Sequence, residues 1–243
     1  MKKVAIITGG GTGIGKAIAL KLAELDINVA IIYSKSKKEA ESTLKDVERY
    51  GVVGLVCQAD ISNDIEVRQM FKKVMVKFGR LDILVNCAGV TTFVDIKNLE
   101  GLFDEDWDSA FGVNAKGVFF TSRACAEELK QNRGTIVNIV SVAGIKGKGA
   151  SIAYCASKAA AISITKSLAI ALAPEVRVNG VAPGPVQTRW IAGKEKFVQK
   201  LSEGTPLGRI ARPEDIAEVV VSLIRGSGFV TGQIIVVDGG NTI

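Results

Sequence analysis

Three side chains in the middle of the chain carry the atoms of an acid–base reaction. Tyr154 and Lys158 stand four residues apart, and Ser141 precedes the tyrosine by thirteen. On a helix, positions i and i+4 share a face, so a phenol and an ammonium at this spacing point into one pocket. A free tyrosine titrates near pH ~10 and exchanges protons poorly at neutrality. A neighbouring cation favours the phenolate, and Lys158 is expected to lower the Tyr154 pKa towards the range in which acid–base catalysis works. The Ser141 hydroxyl would hold a carbonyl or alcohol oxygen. The sequence contains no histidine, so tyrosine and lysine are left to move protons. A Tyr-x-x-x-Lys pair is common on solvated helices, and its meaning depends on the elements that position it.

The first such element is a glycine-rich turn near the N-terminus. Val4-Ala5-Ile6-Ile7 is a short apolar run of the kind a buried parallel strand shows. It leads into Thr8-Gly9-Gly10-Gly11-Thr12-Gly13-Ile14-Gly15, and Lys16 to Leu25 then reads as an amphipathic helix. Strand, glycine turn and helix together bring backbone N–H groups and a helix N-terminus against a pyrophosphate. The strict Gly-x-Gly-x-x-Gly fingerprint fits no register; the spacing is Thr-Gly-x-x-x-Gly-x-Gly, carried by Gly9, Gly13 and Gly15.

Beyond this turn, Val/Ile-rich runs alternate with helical stretches. Strands are expected at Val4–Thr8, Val29–Tyr33, Val52–Gln58, Asp82–Asn86, Thr135–Ser141, Val176–Val181 and Gln233–Val237. Each gap leaves room for a crossover helix, which implies a doubly wound parallel sheet of about seven strands in a three-layer α/β/α arrangement. No linker or composition break divides the 243 residues, so one domain spanning residues 1–243 is expected. In such sheets ligands bind beyond the carboxyl ends of the strands. The turn at Gly9–Gly15, Asp60, Asn86, Ser141 and Pro183 all fall just past strand ends.

Composition narrows the classes further. The core is aliphatic, with 47% hydrophobic residues against 6% aromatic ones. No apolar run approaches the ~20 residues that a membrane span needs, and Met-Lys-Lys leads directly into the first strand, so a cytoplasmic protein is expected. Cys57, Cys87, Cys125 and Cys155 show no Cys-x-x-Cys spacing and read as reduced thiols; a His/Cys metal site is not expected. The net charge of +6 is mild for this length, and no aromatics are interleaved with the Lys35, Lys37, Lys38 cluster, which argues against nucleic acid as a partner.

In their order and distances the motifs resemble the short-chain dehydrogenase/reductase family over nearly the whole chain. They are Thr8-Gly9 to Gly15, Asp60, Asn86-Cys87-Ala88-Gly89, Asn114, Ser141, Tyr154 with Lys158, and Pro183-Gly184. Cys87 departs from the family, which more often has a second asparagine there. The resemblance implies a Rossmann-type domain and an oxidoreductase that interconverts a ketone and a secondary alcohol. Ser141 would orient the substrate oxygen, Tyr154 transfer the proton, and Lys158 hold the nicotinamide ribose; Asn114 would hold a water that links Lys158 to solvent. Gly9, Thr12, Gly13 and Ile14 would meet the cofactor phosphates, and Asp60 with Ile61 the adenine ring. Asn86, Ala88 and Gly89 would border the adenosine ribose. Pro183, Gly184 and Val186 would line the nicotinamide, and Thr188 its carboxamide or the diphosphate. Simpler readings stand beside these: Asp60 and Ser62 as a helix cap, Pro183-Gly184-Pro185 as a rigid turn, Thr188 as a cap.

The choice of dinucleotide turns on charge. NAD enzymes place an acid at the end of the second strand, whereas NADP enzymes avoid it and supply a cation. Here Tyr33-Ser34-Lys35-Ser36-Lys37-Lys38 brings no carboxylate before Glu39. Ser34, Lys35 and Ser36 would meet a 2′-phosphate, which favours NADP(H) over the alternative NAD(H). The segment from Thr188 through Trp190 and 194–197 to Leu207 is where the family builds its substrate lid. The C-terminal Ile210–Asp215 and Val237–Gly240 resemble the 3-oxoacyl-(acyl carrier protein) reductase branch. Arg133 is the candidate cation for docking an acidic carrier, and a sugar, diol or steroid-like alcohol competes as a small-molecule substrate. A dinucleotide sensor without turnover is the alternative from another class. The resemblance also implies a homotetramer in which the helix after Asn114 and the helix of Tyr154 pack against their own copies, helped by Ala156, Ala159, Ala160, Ala161 and Ala169.

Overall fold

The computed structural model describes residues 1–193, 195–226 and 228–243, with the backbone alone for residues 196 and 197. Lys194 and the side chains at 196 and 197, part of the expected lid, therefore lie outside the described residues. Seven parallel strands form one sheet: β1 (Val4–Thr8), β2 (Asn28–Tyr33), β3 (Gly54–Gln58), β4 (Ile83–Asn86), β5 (Thr135–Ile139), β6 (Arg177–Pro183) and β7 (Ile234–Val237). Their order across the sheet is β3-β2-β1-β4-β5-β6-β7, so the chain reverses direction of travel between β1 and β4. The helices are α1 (Gly13–Glu24), α2 (Lys37–Glu48), α3 (Asp64–Phe78), α4 (Asp104–Phe111), α5 (Val118–Gln131), α6 (Ala143–Lys146), α7 (Ile152–Ala171), α8 (Glu195–Glu203) and α9 (Pro213–Arg225).

Alternation along each strand sends side chains to two separate cores. Ala5, Ile7, Val29, Ile31, Val85 and Val137 pack under α1, α2 and α9, whereas Val4, Ile6, Ala30, Ile32, Leu84 and Ile136 pack under α3, α5 and α7. The sheet is thus buried on both faces, which is why its strands read as continuous aliphatic runs. Strand ends differ from the expectation by one to two residues. Val52 and Val53 lie ahead of β3, and β5 ends at Ile139 although the Val140 N–H still reaches the Val181 carbonyl at 2.8 Å.

A buried polar network crosses the second core and sets the position of α7. Asn86 Nδ2 on β4 donates to Asn138 Oδ1 at 2.9 Å and to Ser122 Oγ at 3.2 Å, and Thr121 Oγ1 donates to Asn86 Oδ1 at 2.6 Å. Asn138 Nδ2 on β5 in turn donates to Thr165 Oγ1 on α7 at 2.9 Å. Every one of these side chains is buried. Polar groups withdrawn from water are costly unless bonded, so the bonded arrangement selects one register of α5 and α7 on the sheet. Asn86 is therefore turned into the core: its side chain does not border the strand-end cleft as expected, because its amide is consumed by β5 and α5.

Two further expectations are corrected by topology. Arg133 precedes β5 and so stands at the sheet edge opposite Ser141, a strand length of about 3.3 Å per residue away; it does not line the cleft. Asp60 does not cap α3: its Oδ1 accepts from the Ser62 N–H at 2.9 Å and the Ser62 hydroxyl at 2.7 Å, while Asn63 is the cap and accepts from the N–H groups of Ile65 and Glu66. Of the alanines on the small face of α7, Ala161 and Ala169 are buried in the monomer and Ala159 is exposed. No helix among the described residues is long and apolar enough to cross a membrane.

Candidate active site

The carboxyl ends of the strands open on a cleft of about 1620 Å³. That exceeds the ~300–1,000 Å³ of an ordinary small-molecule pocket and leaves room for an extended ligand with a second molecule beside it. At one end lie Gly9, Thr12, Gly13 and Ile14, with Ser34, Lys35 and Ser36 after β2 and Asp60 and Ile61 after β3. At the other lie Ser141, Tyr154 and Lys158, with Ala88 and Gly89 after β4, Pro183 at the end of β6, and Gly184, Val186 and Thr188 after it. Of the residues singled out from the sequence, Asn86 and Asn114 stand behind this lining.

The glycine turn has the form an anionic diphosphate requires. Gly9 has φ +67° and Gly13 φ +50°, conformations that favour glycine. A methyl group on Gly9 would stand 2.9 Å from Ala88 Cα, and one on Gly15 would collide with the Gly9 carbonyl. One on Gly13 would lie 3.2 Å from Thr188 Cγ2, so the segment after β6 closes over the turn. α1 begins at Gly13 with no acidic residue in its first turn and no side-chain cap from Thr12. Its terminal N–H groups thus face the cleft without a competing acceptor, beside the positive end of the helix dipole. The residues present fit a dinucleotide.

At the other end, Ser151 starts α7 by accepting the Tyr154 N–H at 3.2 Å. One turn on, Lys158 Nζ donates to the Ile139 carbonyl at 2.9 Å and stands 5.9 Å from the Tyr154 ring centre. Ser141 follows β5, with its hydroxyl oxygen accepting the Ala143 N–H at 3.1 Å. The reacting set therefore combines one strand end with one helix face. Tyr154, Lys158 and Ser141 are only 9%, 4% and 8% exposed.

Burial decides their ionisation. The Tyr154 phenol is pushed up to about 12 by desolvation, which outweighs the lowering influence of the Ser141 hydroxyl as a hydrogen-bond partner. Lys158 is pushed down to about 8, again by desolvation, against a small raising effect of Cys87. The expectation that Lys158 depresses the tyrosine pKa is thus corrected: the ammonium lies toward the Ile139 carbonyl, and the cost of charging a buried phenol dominates. At neutral pH Tyr154 is a protonated donor beside a largely protonated amine. Cys87, also pushed up to about 12 by burial, is a neutral thiol in the cleft wall.

Asn114 supplies the local reason expected of a mid-helix asparagine. It sits in a π-helical turn, Gly112–Gly117, that links α4 to α5. Its Oδ1 accepts the Val90 N–H at 3.0 Å, and its Nδ2 donates to the Val90 carbonyl at 2.9 Å and to Ser157 Oγ at 3.0 Å. Ser157 Oγ donates onward to the Tyr154 carbonyl at 2.8 Å. The amide thereby clamps the loop after β4 to the helix of Tyr154.

The cleft wall holds further residues, of which the sequence reading had named only Trp190, in the expected lid segment. Trp190 packs edge-on against Tyr154, with ring centres 6.2 Å apart and planes at 78°. Phe93, Val142, Ala150, Ile191 and Leu201 continue an apolar wall, while Lys146, Lys148 and Arg189 also line the cleft. The sequence reading placed Trp190 in the lid segment, but nothing in the sequence gives the direction of its side chain. Among the described residues no cluster of His, Cys, Asp or Glu could hold a metal.

A strand-end cleft with a glycine turn at one end and a serine–tyrosine–lysine set at the other defines a dinucleotide-dependent oxidoreductase. A family model described as enoyl-(acyl carrier protein) reductase matches residues 9–242. The chain is 37% identical to the 3-oxoacyl-[acyl-carrier-protein] reductase FabG of Staphylococcus aureus, over 99% of this chain and 98% of that one. It is 39% identical to the FabG of Thermotoga maritima at the same coverage. Among solved structures, a Burkholderia xenovorans protein assigned to the short-chain dehydrogenases/reductases superposes with a TM-score of 0.94 at 33% identity, covering 99% of this chain and 98% of that one. A doubly substituted short-chain dehydrogenase/reductase of Serratia marcescens gives 0.92 at 34% with the same coverage. The chain belongs to the short-chain dehydrogenase/reductase family and is an enzyme of it, using a nicotinamide dinucleotide; the turnover-free sensor is set aside.

The buried amine generates a signed prediction. A folded Lys158 near 8 against its ordinary 10.5 binds fewer protons than the unfolded chain between those values. Stability therefore rises with pH across that window, the burial cost being fully present below about pH 8. Tyr154, raised from 10 to about 12, has the opposite sign at higher pH. Urea denaturation of the parent and Lys158→Met at several pH values should show the parent gaining on the variant from about pH 8 to 10.5. Parallel curves would contradict the buried charge.

Proposed function

We propose that the protein is an NADP(H)-dependent reductase that converts a ketone to a secondary alcohol, with a 3-oxoacyl thioester as its favoured substrate class. The observation that carries this reading is the convergence of Ser141, Tyr154 and Lys158 at one end of a cleft whose other end holds the glycine turn and Lys35. The names of the relatives from Staphylococcus aureus and Thermotoga maritima support the substrate class.

The bound, reduced dinucleotide supplies a hydride. The hydroxyls of Ser141 and Tyr154 hold the carbonyl oxygen, and Tyr154 gives its proton to that oxygen as the carbon is reduced. The proton is thus replaced by a tyrosinate charge, which the Ser141 hydroxyl stabilises as a hydrogen-bond partner. Asn114 is a positioning residue, holding the loop after β4 against α7. Gly9, Thr12, Gly13, Ile14 and Thr188 bind the diphosphate; Asp60, Ile61, Ala88 and Gly89 bind the adenosine half. Lys158, Pro183, Gly184 and Val186 bind the nicotinamide half.

Lys35 is exposed and makes no ion pair among the described residues, whereas Lys37 is committed to Glu41 at 3.7 Å. Ser34 and Ser36 offer hydroxyls beside it, and this set favours a 2′-phosphate. Glu39, one turn into α2, also lines the cleft and keeps NAD(H) as the alternative. An acidic carrier would meet Lys146, Lys148 and Arg189 at the cleft. A homotetramer is the expected assembly, read by light scattering as a mass of four chains at micromolar concentration; a monomeric mass would contradict it.

The family model's description points to an enoyl substrate instead. A spectrophotometric screen of NADPH and NADH against 3-oxoacyl thioesters, enoyl thioesters, ketones, sugars and diols separates these readings. Oxidation of NADPH with the 3-oxoacyl thioester is expected, and turnover confined to the enoyl thioester would overturn the ketone assignment. Because Lys35 is solvent-exposed, Lys35→Ala should weaken NADP binding by only about tenfold, or about 1.4 kcal/mol, and leave NAD binding unchanged. Ser34→Asp should reverse the preference, since the carboxylate repels the phosphate and accepts from a ribose hydroxyl. Direct titration showing that the parent already prefers NAD would refute this reading of the β2 end.

A further inference from the structure

Three cations line the reacting end of the cleft without a carboxylate partner. Lys146 closes α6, Lys148 follows in the turn to α7, and Arg189 lies in the segment between β6 and α8. All three are exposed, and none forms an ion pair among the described residues. Of the carboxylates in the same cleft, Glu39 and Asp60 lie at the glycine-turn end and Asp108 on α4. Asp95 alone belongs to the loop bonded to the α6–α7 turn, through the Val94 N–H to the Ala150 carbonyl at 2.9 Å. Its Oδ1 accepts the Lys97 N–H at 2.8 Å and so serves its own loop. Three positive charges thus stand against one carboxylate.

The two lysines are placed by the turn that carries them. The Gly147 N–H closes α6 on the Ala143 carbonyl at 3.0 Å, with φ +66°, a conformation that favours glycine. A methyl group on Gly149 would stand 2.7 Å from Ala143 Cβ and 3.1 Å from Cys155 Sγ, so the turn lies close against α6 and α7. Lys148 is held between these two glycines. The Lys146 ammonium donates to the Asn241 carbonyl at 2.9 Å, which fixes its direction and leaves its other N–H donors free. Because these cations line the cleft itself, the anion that meets them must enter with the substrate. In a thioester carried on a pantetheine arm the ketone, the thioester and the amides are neutral. The first anion along that arm is its phosphate.

We propose that Lys146 and Lys148, together with Arg189, form a subsite for the phosphate of a substrate's phosphopantetheine arm. The proposal rests on the 3-oxoacyl thioester reading above and adds the group by which that thioester is held away from its reacting carbon. Phosphate oxygens accept from ammonium and guanidinium N–H donors, and solvent exposure keeps each contact modest. The same phosphate is carried by coenzyme A and by an acyl carrier protein.

The test compares two thioesters that differ only in this group, 3-oxoacyl phosphopantetheine and 3-oxoacyl pantetheine, by the rate of dinucleotide oxidation. The parent should use the phosphorylated ester with a kcat/KM about tenfold higher, and Lys146→Gln combined with Lys148→Gln should bring that ratio below about twofold. Lys146→Arg combined with Lys148→Arg should restore it. Lys148 makes no side-chain hydrogen bond or ion pair among the described residues. Lys148→Gln alone, expected to lower the ratio to about half, therefore serves if the double variant does not fold. Esters of coenzyme A and of acyl carrier protein separate the sources. A loss in the double variant with the first only assigns the subsite to a free thioester, and a loss with both assigns it to the arm in either carrier. A parent ratio near one, or variants that keep the parent's ratio, overturns the phosphate subsite and leaves ketone reduction standing. Turnover of another ketone with no thioester reduced overturns the thioester reading and the subsite together.

Discussion

A protonated amine held almost out of water is the constraint around which the reacting site is built. Lys158 is 4% exposed, and its hydrogen bond to the Ile139 carbonyl is made to the last residue of β5. An ammonium withdrawn from solvent is costly unless dipoles or charges replace the lost water. That requirement couples the end of β5 to the face of α7. It also explains why so much buried polar bonding surrounds α7. Asn138 and Thr165 fix the helix to the sheet, and Asn114 with Ser157 fixes its start to the loop after β4. Shifting α7 by a fraction of a turn would orphan the amine and the amides together.

The same burial makes the phenol reluctant to ionise and the amine readier to give up its charge. Their separation, about 12 against about 8, keeps Tyr154 a proton donor at neutral pH. Charge would develop on its oxygen only as a substrate oxygen takes the proton, and there the Ser141 hydrogen bond has most effect because little water screens it. At the opposite end of the cleft the binding problem is different. Groups there are exposed, the chain supplies backbone N–H groups of α1 and a solvated Lys35, and affinity for an anion is spread over several modest contacts.

Much of this was legible in the sequence because the sheet is buried on both faces. Runs rich in Val and Ile marked all seven strands, and placing Gly9–Gly15, Asp60 and Ser141 past their ends, with Pro183 closing β6, located the cleft. What escaped was side-chain direction. Asn86 was read as bordering the adenosine ribose and Asn114 as holding a water beside Lys158, but both amides face inward, Asn86 into a β4–β5–α5 network and Asn114 onto Val90 and Ser157. Arg133 was read as a cation near the site because three-dimensional distance is invisible before strand polarity is applied. The lowering of the tyrosine pKa by Lys158 failed for a physical reason: helical spacing gives proximity, but not the balance between Coulomb attraction and desolvation. Trp190 lies in an irregular segment, where no period fixes which way a side chain points.

The central claim is that Tyr154 gives the proton. The most direct measurement is the rate of NADPH oxidation by Tyr154→Phe with a 3-oxoacyl thioester, alongside calorimetric binding of the dinucleotide. The account requires turnover to fall by about a thousandfold or more, a barrier increase of about 4 kcal/mol, with dinucleotide affinity near that of the parent. Activity within about tenfold of the parent, a barrier change under about 1.4 kcal/mol, would contradict it.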